Sequence, residues 1–425
     1  MLKYVILIEN TRSLEAIGLS NPYSNYPSRK LKFSRESWLL IIGIVFIAST
    51  LRSPLTTVGP LISFIRESLA IPNVLAGFLT TIPLLAFALI SPFAPKLARR
   101  YGLETTLFIS LILLTGGIII RSFGSIPNLL IGTFLLGIAI AFGNVLLPSL
   151  IKLHFPLQLG LLTGIYSVAM NLSAAIAVGL SVPLATDTPL GWKGALGIWG
   201  ILPFIALLIW LPQLKKKKSD SIAAPDRQRS LPLWKSPLAW SITIFMGLQS
   251  LLFYTTAAWM PEVLKAQGIG ADYAGWMISL QQFAQLPIMF LTPILAGKVK
   301  DQRMIVAGVA ACYLLGYGGV FMGGNSLVPL WMIFIGIGAG AAFSLAMMFF
   351  TLRTRTSHEA AELSAMAQSF GYLLAATGPV LFGSLHDLTG GWIVPLLILL
   401  IGSLCVLLFG LKSGKDAFVL PKQKY

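Results

Sequence analysis

Apolar runs long enough to cross a bilayer recur twelve times along this chain, and no other feature limits its fold as strongly. They lie at about 38–66, 73–94, 103–121, 127–151, 158–183, 193–212, 236–263, 272–296, 303–322, 327–351, 359–383 and 392–411. A hydrocarbon core about 30 Å thick is spanned by ~20 helical residues. There every backbone donor and acceptor must be satisfied within the protein, so only helices and closed barrels cross. A barrel needs short strands of alternating polarity, whereas these runs are long and nearly uniform. The chain therefore reads as an all-α membrane protein with twelve transmembrane helices. Composition agrees, since only 11% of the 425 residues are charged and mean hydropathy is +0.82, against ~25% charged in soluble domains.

Charge placement orients the bundle. With alternating spans, 26 of the 31 Lys and Arg fall on one side. The other side holds Arg66, Arg121, Lys193 and Lys265, and Arg52 sits inside the first span. The positive-inside rule then puts both termini in the cytoplasm of a cell-membrane protein. The formal charge of +16 is a topology signal, and nucleic acid is excluded as a partner. Lys215 to Lys218 open the largest polar break, which reads as a solvated linker held near anionic lipid at the cytoplasmic face. The expected divisions are a tail at 1–36, six helices at 37–213, a basic linker at 214–234, six helices at 235–412 and a tail at 413–425. Cys312 and Cys405 lie in apolar runs and form no disulfide framework or metal spacing. The opening MLKYVILIEN lacks the apolar length and cleavage site of a secretory signal.

The two halves repeat each other at offsets of 198 to 201 residues. Thr56-Thr57 and Pro60 answer Thr255-Thr256 and Pro261, and Ala76-Gly77 answers Ala274-Gly275. Ser91-Pro92 answers Thr292-Pro293; Gly137 with Ala141-Phe142 answers Gly338 with Ala342-Phe343; Gly191-Trp192 answers Gly391-Trp392. Matches in one order and orientation indicate two parallel six-helix repeats, the arrangement of the major facilitator fold.

Three stretches carry a closer resemblance. They are Leu51-Arg52-Ser53-Pro54 with Gly59-Pro60, the fourth span from Gly137 through Gly143-Asn144 and Pro148 to Lys152, and Gln249 to Tyr254 followed by Trp259-Met260-Pro261. The chain resembles the cyanate-permease and nitroimidazole-transporter (CynX/NimT) branch of the major facilitators over nearly its whole length. That resemblance implies secondary transport of a small solute. Two departures stand out. The loop Lys96-Leu-Ala-Arg99-Arg100-Tyr101-Gly102 keeps the basic part of the facilitator motif without its aspartate, leaving Asp301 as the candidate gating acid in the second half. Position 50 is Thr, where many members of the branch carry Asn.

Arg52 is the first candidate for chemistry. It falls near mid-depth, where a guanidinium costs at least ~2.5 kcal/mol and marks function by default. Read as one continuous helix, its neighbours at three and four residues are Ala48, Ser49, Leu55 and Thr56. The fifteen acidic residues all lie in tails, loops or span ends, so a water-filled cavity and an anionic or polar solute are the expected partners. A structural tie to helix carbonyls or amides is the competing reading. Gln249 and Tyr254 in the seventh span, Gln281 and Gln285 one turn apart in the eighth, Asn144 in the fourth and Asn171 in the fifth complete the substrate-binding candidates. Buried amides also serve merely to join helices. Gln368 and Tyr372 are secondary candidates, while Tyr166 and Trp259 read as packing or gate residues.

No inventory supports an enzyme. Gly414-Lys415 is followed by Asp416 and lacks the upstream glycine of a phosphate loop. His154, His358 and His386 stand apart at span ends, so neither a cofactor nor a metal is expected. With no mid-membrane carboxylate, the commonest proton relay is also missing. The expected function is a monomeric secondary transporter that moves a small anionic or polar solute, cyanate-like or another small anion, by alternating access. An exporter of amphipathic nitroimidazole-type compounds and a non-transporting membrane sensor are the alternatives.

Overall fold

A computed structural model describes residues 35–71, 73–214, 233–323 and 327–420. Residues 1–34 of the expected tail, 215–232 of the linker and 421–425 of the second tail lie outside the described residues. Twelve helices in the described chain are long and apolar enough to cross a membrane.

The first, α1, is built from three segments, Arg35–Thr50, Ser53–Thr56 and Val58–Leu69. The second, α2, runs from Asn73–Ile90 through a tight turn at Ser91–Phe93 into Ala94–Tyr101. Helices α3 (Leu103–Ser122), α4 (Ile126–His154) and α5 (Leu159–Thr186) follow. Helix α6 joins Gly191–Gly197 to Ile201–Leu214 through a 3₁₀ turn at Ile198–Gly200. The second half has α7 (Pro237–Ala266), α8 (Ala271–Lys298), α9 (Arg303–Met322), α10 (Val328–Leu352), α11 (Ser357–Thr389) and α12 (Ile393–Ser413). Three helices start on hydroxyl caps, where Ser125, Ser236 and Thr356 accept from the backbone N–H groups of Asn128, Ala239 and Glu359. The spans match the sequence reading to within a few residues, apart from α2, which continues to Tyr101.

Helix α1 departs from the continuous span that hydropathy suggested. Pro54 has no N–H to give to the carbonyl four residues back, and its ring restricts the residue before it. The chain therefore leaves the helix at Leu51–Arg52 and restarts with Pro54 in the first turn of the new segment. Arg52 is the residue that caps this restart (φ −124°, ψ −37°). The repeat partner α7 has Phe253 where Pro54 would fall, and it runs unbroken from Pro237 to Ala266. The interruption is thus a property of one half and not of the fold.

The halves meet through α5 against α8, and through α11 against α2 and α4. At the α5–α8 crossing the backbones nearly touch, and a Cβ at Gly160 would lie 2.4 Å from the Pro293 carbonyl oxygen. Small residues permit such approaches where no hydrophobic driving force exists between helices in lipid. This crossing lies at the end of the bundle that carries Arg99, Lys152, Lys298 and Arg353. We call it the basic end. The two halves are in contact there.

Candidate functional site

Between the halves lies a cavity of about 920 Å³, with Arg52 on its wall at the α1 interruption. Among the lining residues, Phe283 near the middle of α8 is 62% exposed and Val380 toward the far end of α11 is 69% exposed.

The guanidinium of Arg52 is held by three other helices. Its Nη1 donates to Oδ1 of Asn171 on α5, whose own Nδ2 donates to the Ser167 carbonyl at 2.8 Å. Across the interface, Arg52 Cζ sits 5.2 Å from the ring centroids of both Phe253 on α7 and Phe343 on α10. Such cation–π contacts are worth about 0.5–2 kcal/mol each, more when water is excluded. The arginine is thus shared between the halves. No Asp or Glu lines the cavity among the described residues.

The candidate amides divide by position. Asn144, Asn171, Tyr254 and Gln285 line the large cavity together with Gln368 and Tyr372. Gln249 lines a water-sized recess of about 10 Å³ beneath Arg52, in company with Ser250, Gln285 and Met289. Its Nε2 donates to Ser250 Oγ at 2.6 Å and to the Met246 carbonyl at 3.1 Å. Gln281 lines neither space. Its backbone carbonyl faces Gly336 of α10, its side chain is 1% exposed, and its Oε1 has no partner. Spacing put Gln281 and Gln285 on one helix face, but the rotation of α8 turns only the second toward the cavity. Gln282, which the sequence reading passed over, lines the cavity and accepts from Gln285 Nε2 at 2.7 Å. Trp259 donates to the Pro379 carbonyl at 2.8 Å and packs on Phe382 and Trp392.

The walls are otherwise apolar and aromatic. Phe87 meets Tyr372 at a centroid distance of 5.1 Å, and Phe253 meets Tyr254 edge-on at 5.3 Å. Met170 and Met347 complete these walls. Thioethers and rings of this kind accept flat polarisable groups while leaving orientation to the few polar side chains.

Arg121, counted from sequence on the side opposite the basic end, closes α3 and is fully buried at 0% exposure. Its Nη1 donates to the Pro54 carbonyl at 2.7 Å and its Nη2 to the Leu196 carbonyl at 3.4 Å. The sequence offered one clue, namely that Arg121 closes an otherwise apolar helix.

Closure at the basic end rests on polar contacts between the halves. Arg99 Nη1 on α2 donates to Glu362 Oε1 at 3.0 Å and to His358 Nε2 at 2.9 Å on α11. A guanidinium only donates, so this His358 nitrogen is the acceptor. Lys152 on α4 donates to the Thr351 carbonyl at 2.6 Å, to Thr354 Oγ1 at 2.7 Å and to the Thr354 carbonyl. A cation on the last carbonyls of α10 is also well placed against the helix dipole. Ser369 Oγ donates to the Ala88 carbonyl across the same interface. Asp301, the expected gating acid, instead pairs within its own loop with Arg303 at 2.6 Å. The hydrogen bonds from Arg303 hold its carboxyl below the usual carboxylate range.

Comparison with known proteins fits this architecture. A family model described as Major Facilitator Superfamily matches residues 38–379. The uncharacterized transporter YycB of Bacillus subtilis is 49% identical over 390 residues, covering 92% of this chain and 96% of that protein. The 2-nitroimidazole transporter of Escherichia coli is 43% identical over 379 residues, covering 89% and 96%. The cyanate transport protein CynX of Escherichia coli is 24% identical over 358 residues, covering 84% and 92%. Among solved structures, the proton:xylose symporter XylE superposes with a TM-score of 0.72 at 15% identity, covering 91% of this chain and 98% of that one. At that identity XylE supports the fold alone.

Proposed function

The chain belongs to the Major Facilitator Superfamily and is a secondary transporter, and from that premise we propose that it carries a compact solute, anionic or bearing one strongly polar oxygen, across the cell membrane by alternating access. The observation that carries this reading is Arg52. A buried charge must be paired or hydrogen-bonded, and a guanidinium has five N–H donors. Protein supplies Asn171 as a hydrogen-bonding acceptor and two ring faces, while no carboxylate lines the cavity. The solute is the remaining acceptor.

The walls refine its shape. A volume of about 920 Å³ is within the ~300–1,000 Å³ of ordinary ligand sites and far exceeds a few-atom ion. With Phe253, Phe343 and Tyr254 around the arginine, a flat ring bearing a nitro or carboxylate group fits better than a bare anion. The 43% identical relative is named for a nitroimidazole and the 24% identical one for cyanate, and Arg52 can donate to the oxygens of either. The charge asymmetry assigns the basic end to the cytoplasm, which makes the open cavity an outward-facing state. Rocking of the halves about Arg52 then exposes the site to the other side.

A thermal-shift screen of purified protein tests this reading with 2-nitroimidazole, benzoate and sodium cyanate, on wild type and on Arg52→Gln. A ligand at 100 times its Kd stabilises by about 2.7 kcal/mol. We expect a shift in wild type that is lost in the variant, and counterflow in vesicles that is lost with it. The aromatic walls favour a second reading, an exporter of amphipathic compounds, which predicts that the 2-nitroimidazole shift survives the loss of Arg52.

A further inference from the structure

Arg121 is a fully buried guanidinium with no acidic partner among the described residues. Both of its hydrogen bonds go to backbone carbonyls beside helix interruptions. Nη1 takes the Pro54 carbonyl, beside the gap at Thr57 between two segments of α1. Nη2 takes the Leu196 carbonyl, beside the 3₁₀ turn of α6. Carbonyls released from a helix inside a membrane need such a donor, and a fork of donors can hold two at fixed separation.

Space for Arg121 is made by α4. A Cβ at Gly132 would lie 2.5 Å from the Arg121 backbone nitrogen and 2.6 Å from its Cβ. The α3–α4 crossing is therefore tight at the turn from which Arg121 reaches α1. The carbonyl it grips lies two residues from Arg52, and the unbroken α7 has no such arrangement. Other ties at the break are hydroxyl contacts, among them Thr57 Oγ1 to the Pro54 carbonyl at 3.1 Å and, between helices, Ser173 Oγ to the Ser49 carbonyl at 2.7 Å and Thr56 Oγ1 to the Ala174 carbonyl at 3.4 Å.

We propose that Arg121 is a positioning residue for Arg52: by gripping the Pro54 carbonyl it keeps α1 open at the turn from which the Arg52 side chain reaches Asn171, Phe253 and Phe343. Pro54 alone prevents a continuous helix, so without that grip the segment stays broken but swings, and the solute-facing charge leaves its place. The proposal rests on the reading of Arg52 as the group that meets the solute.

The test needs no solute. Ala175 is exposed in the cavity one turn from Asn171, and Ala175→Cys, in a background of Cys312→Ser and Cys405→Ser, puts a reporter thiol near the guanidinium. The measurement is the ratio of its reaction rates with an anionic and a cationic methanethiosulfonate reagent, in purified protein. A neighbouring positive charge raises this ratio, and Arg52→Gln is expected to lower it about tenfold, from Coulomb's law at roughly 6 Å in a wet cavity. Arg121→Lys and Pro54→Ala both conserve net charge. Each is expected to lower the ratio by about threefold or more, because the first removes the fork and the second removes the cause of the break. General loosening alters both rates together and leaves the ratio unmoved. Wild-type ratios in both variants, alongside a fall in Arg52→Gln, overturn the positioning role; should Arg121→Lys fail to fold, Gly132→Ala, whose Cβ would displace Arg121, takes its place, and a wild-type ratio there overturns the role. No fall in Arg52→Gln overturns the cavity-facing arginine itself, and the proposal with it.

Discussion

Nη1 of Arg52 donates to Oδ1 of Asn171, a residue 119 positions later in the chain, and this bond joins the interruption of α1 to the middle of α5. An amide accepts from the guanidinium without neutralising it, so the site keeps its positive charge for an incoming group. Asn171→Asp changes one acceptor for a full counter-ion of nearly equal size. We expect Asn171→Asp to lower anionic-probe affinity by tenfold or more, about 1.4 kcal/mol, with no loss of thermal stability. Titration calorimetry and a melting curve on the same sample check both halves of that statement. A drop in stability with affinity retained would contradict it.

The glutamines of α8 separate position from composition. Both are buried with an unpartnered Oε1, but only Gln285 lines the cavity and donates to Gln282. Replacing an unsatisfied buried group by an apolar one of similar shape is nearly neutral or stabilising. Gln281→Leu is therefore expected to leave probe affinity unchanged and stability unchanged or raised. Gln285→Leu is expected to weaken probe binding severalfold, read by the same calorimetry.

Lys152 holds the basic end closed from a half-buried position, with its donors on the carbonyls of Thr351 and Thr354. Arg99 and Glu362 are 39% and 26% exposed, and a partly exposed pair of this kind is worth at most about 1 kcal/mol. Lys152→Met is expected to open the basic end more often than Arg99→Gln does. Alkylation of a thiol at Ser369→Cys, a position buried against Ala88, should rise severalfold in the first variant and less in the second. Equal or reversed effects would show that the ion pair is the main latch.

Gly132 and Gly179 offer a contrast of the same substitution in two settings. A Cβ at Gly132 would meet the Arg121 backbone at 2.5 Å, while one at Gly179 on the cavity wall meets nothing within 4 Å. Overpacking a close helix crossing costs ~1–3 kcal/mol. Gly132→Ala should lower the melting temperature clearly and Gly179→Ala hardly at all, and denaturation scans in one detergent compare them directly.

Much of the candidate site was legible because it depends on composition at a given depth. Arg52 stood out as a cation in the middle of an apolar run, and the absence of mid-membrane acids followed from counting. Asn144, Asn171, Tyr254 and Gln285 were chosen by depth and do line the cavity. Gln281 shares that depth, yet α8 presents it to α10. Phe253 and Phe343 were hidden among the many apolar residues, since nothing local distinguishes a ring beneath a guanidinium from one in lipid.

Arg121 shows the limit from the other direction. Near the end of a span, a buried arginine and a loop arginine have the same local sequence. Only the carbonyl freed beside Pro54, 67 residues earlier, distinguishes them. Sequence alone determined the number and approximate extent of the spans, the repeat of the halves and the depth of each polar group, because these follow from hydrophobic length and order along the chain. Tertiary structure decided which groups meet, where α1 breaks open and at which end the halves close. Those depend on the rotation and crossing of each helix, which packing against distant segments sets.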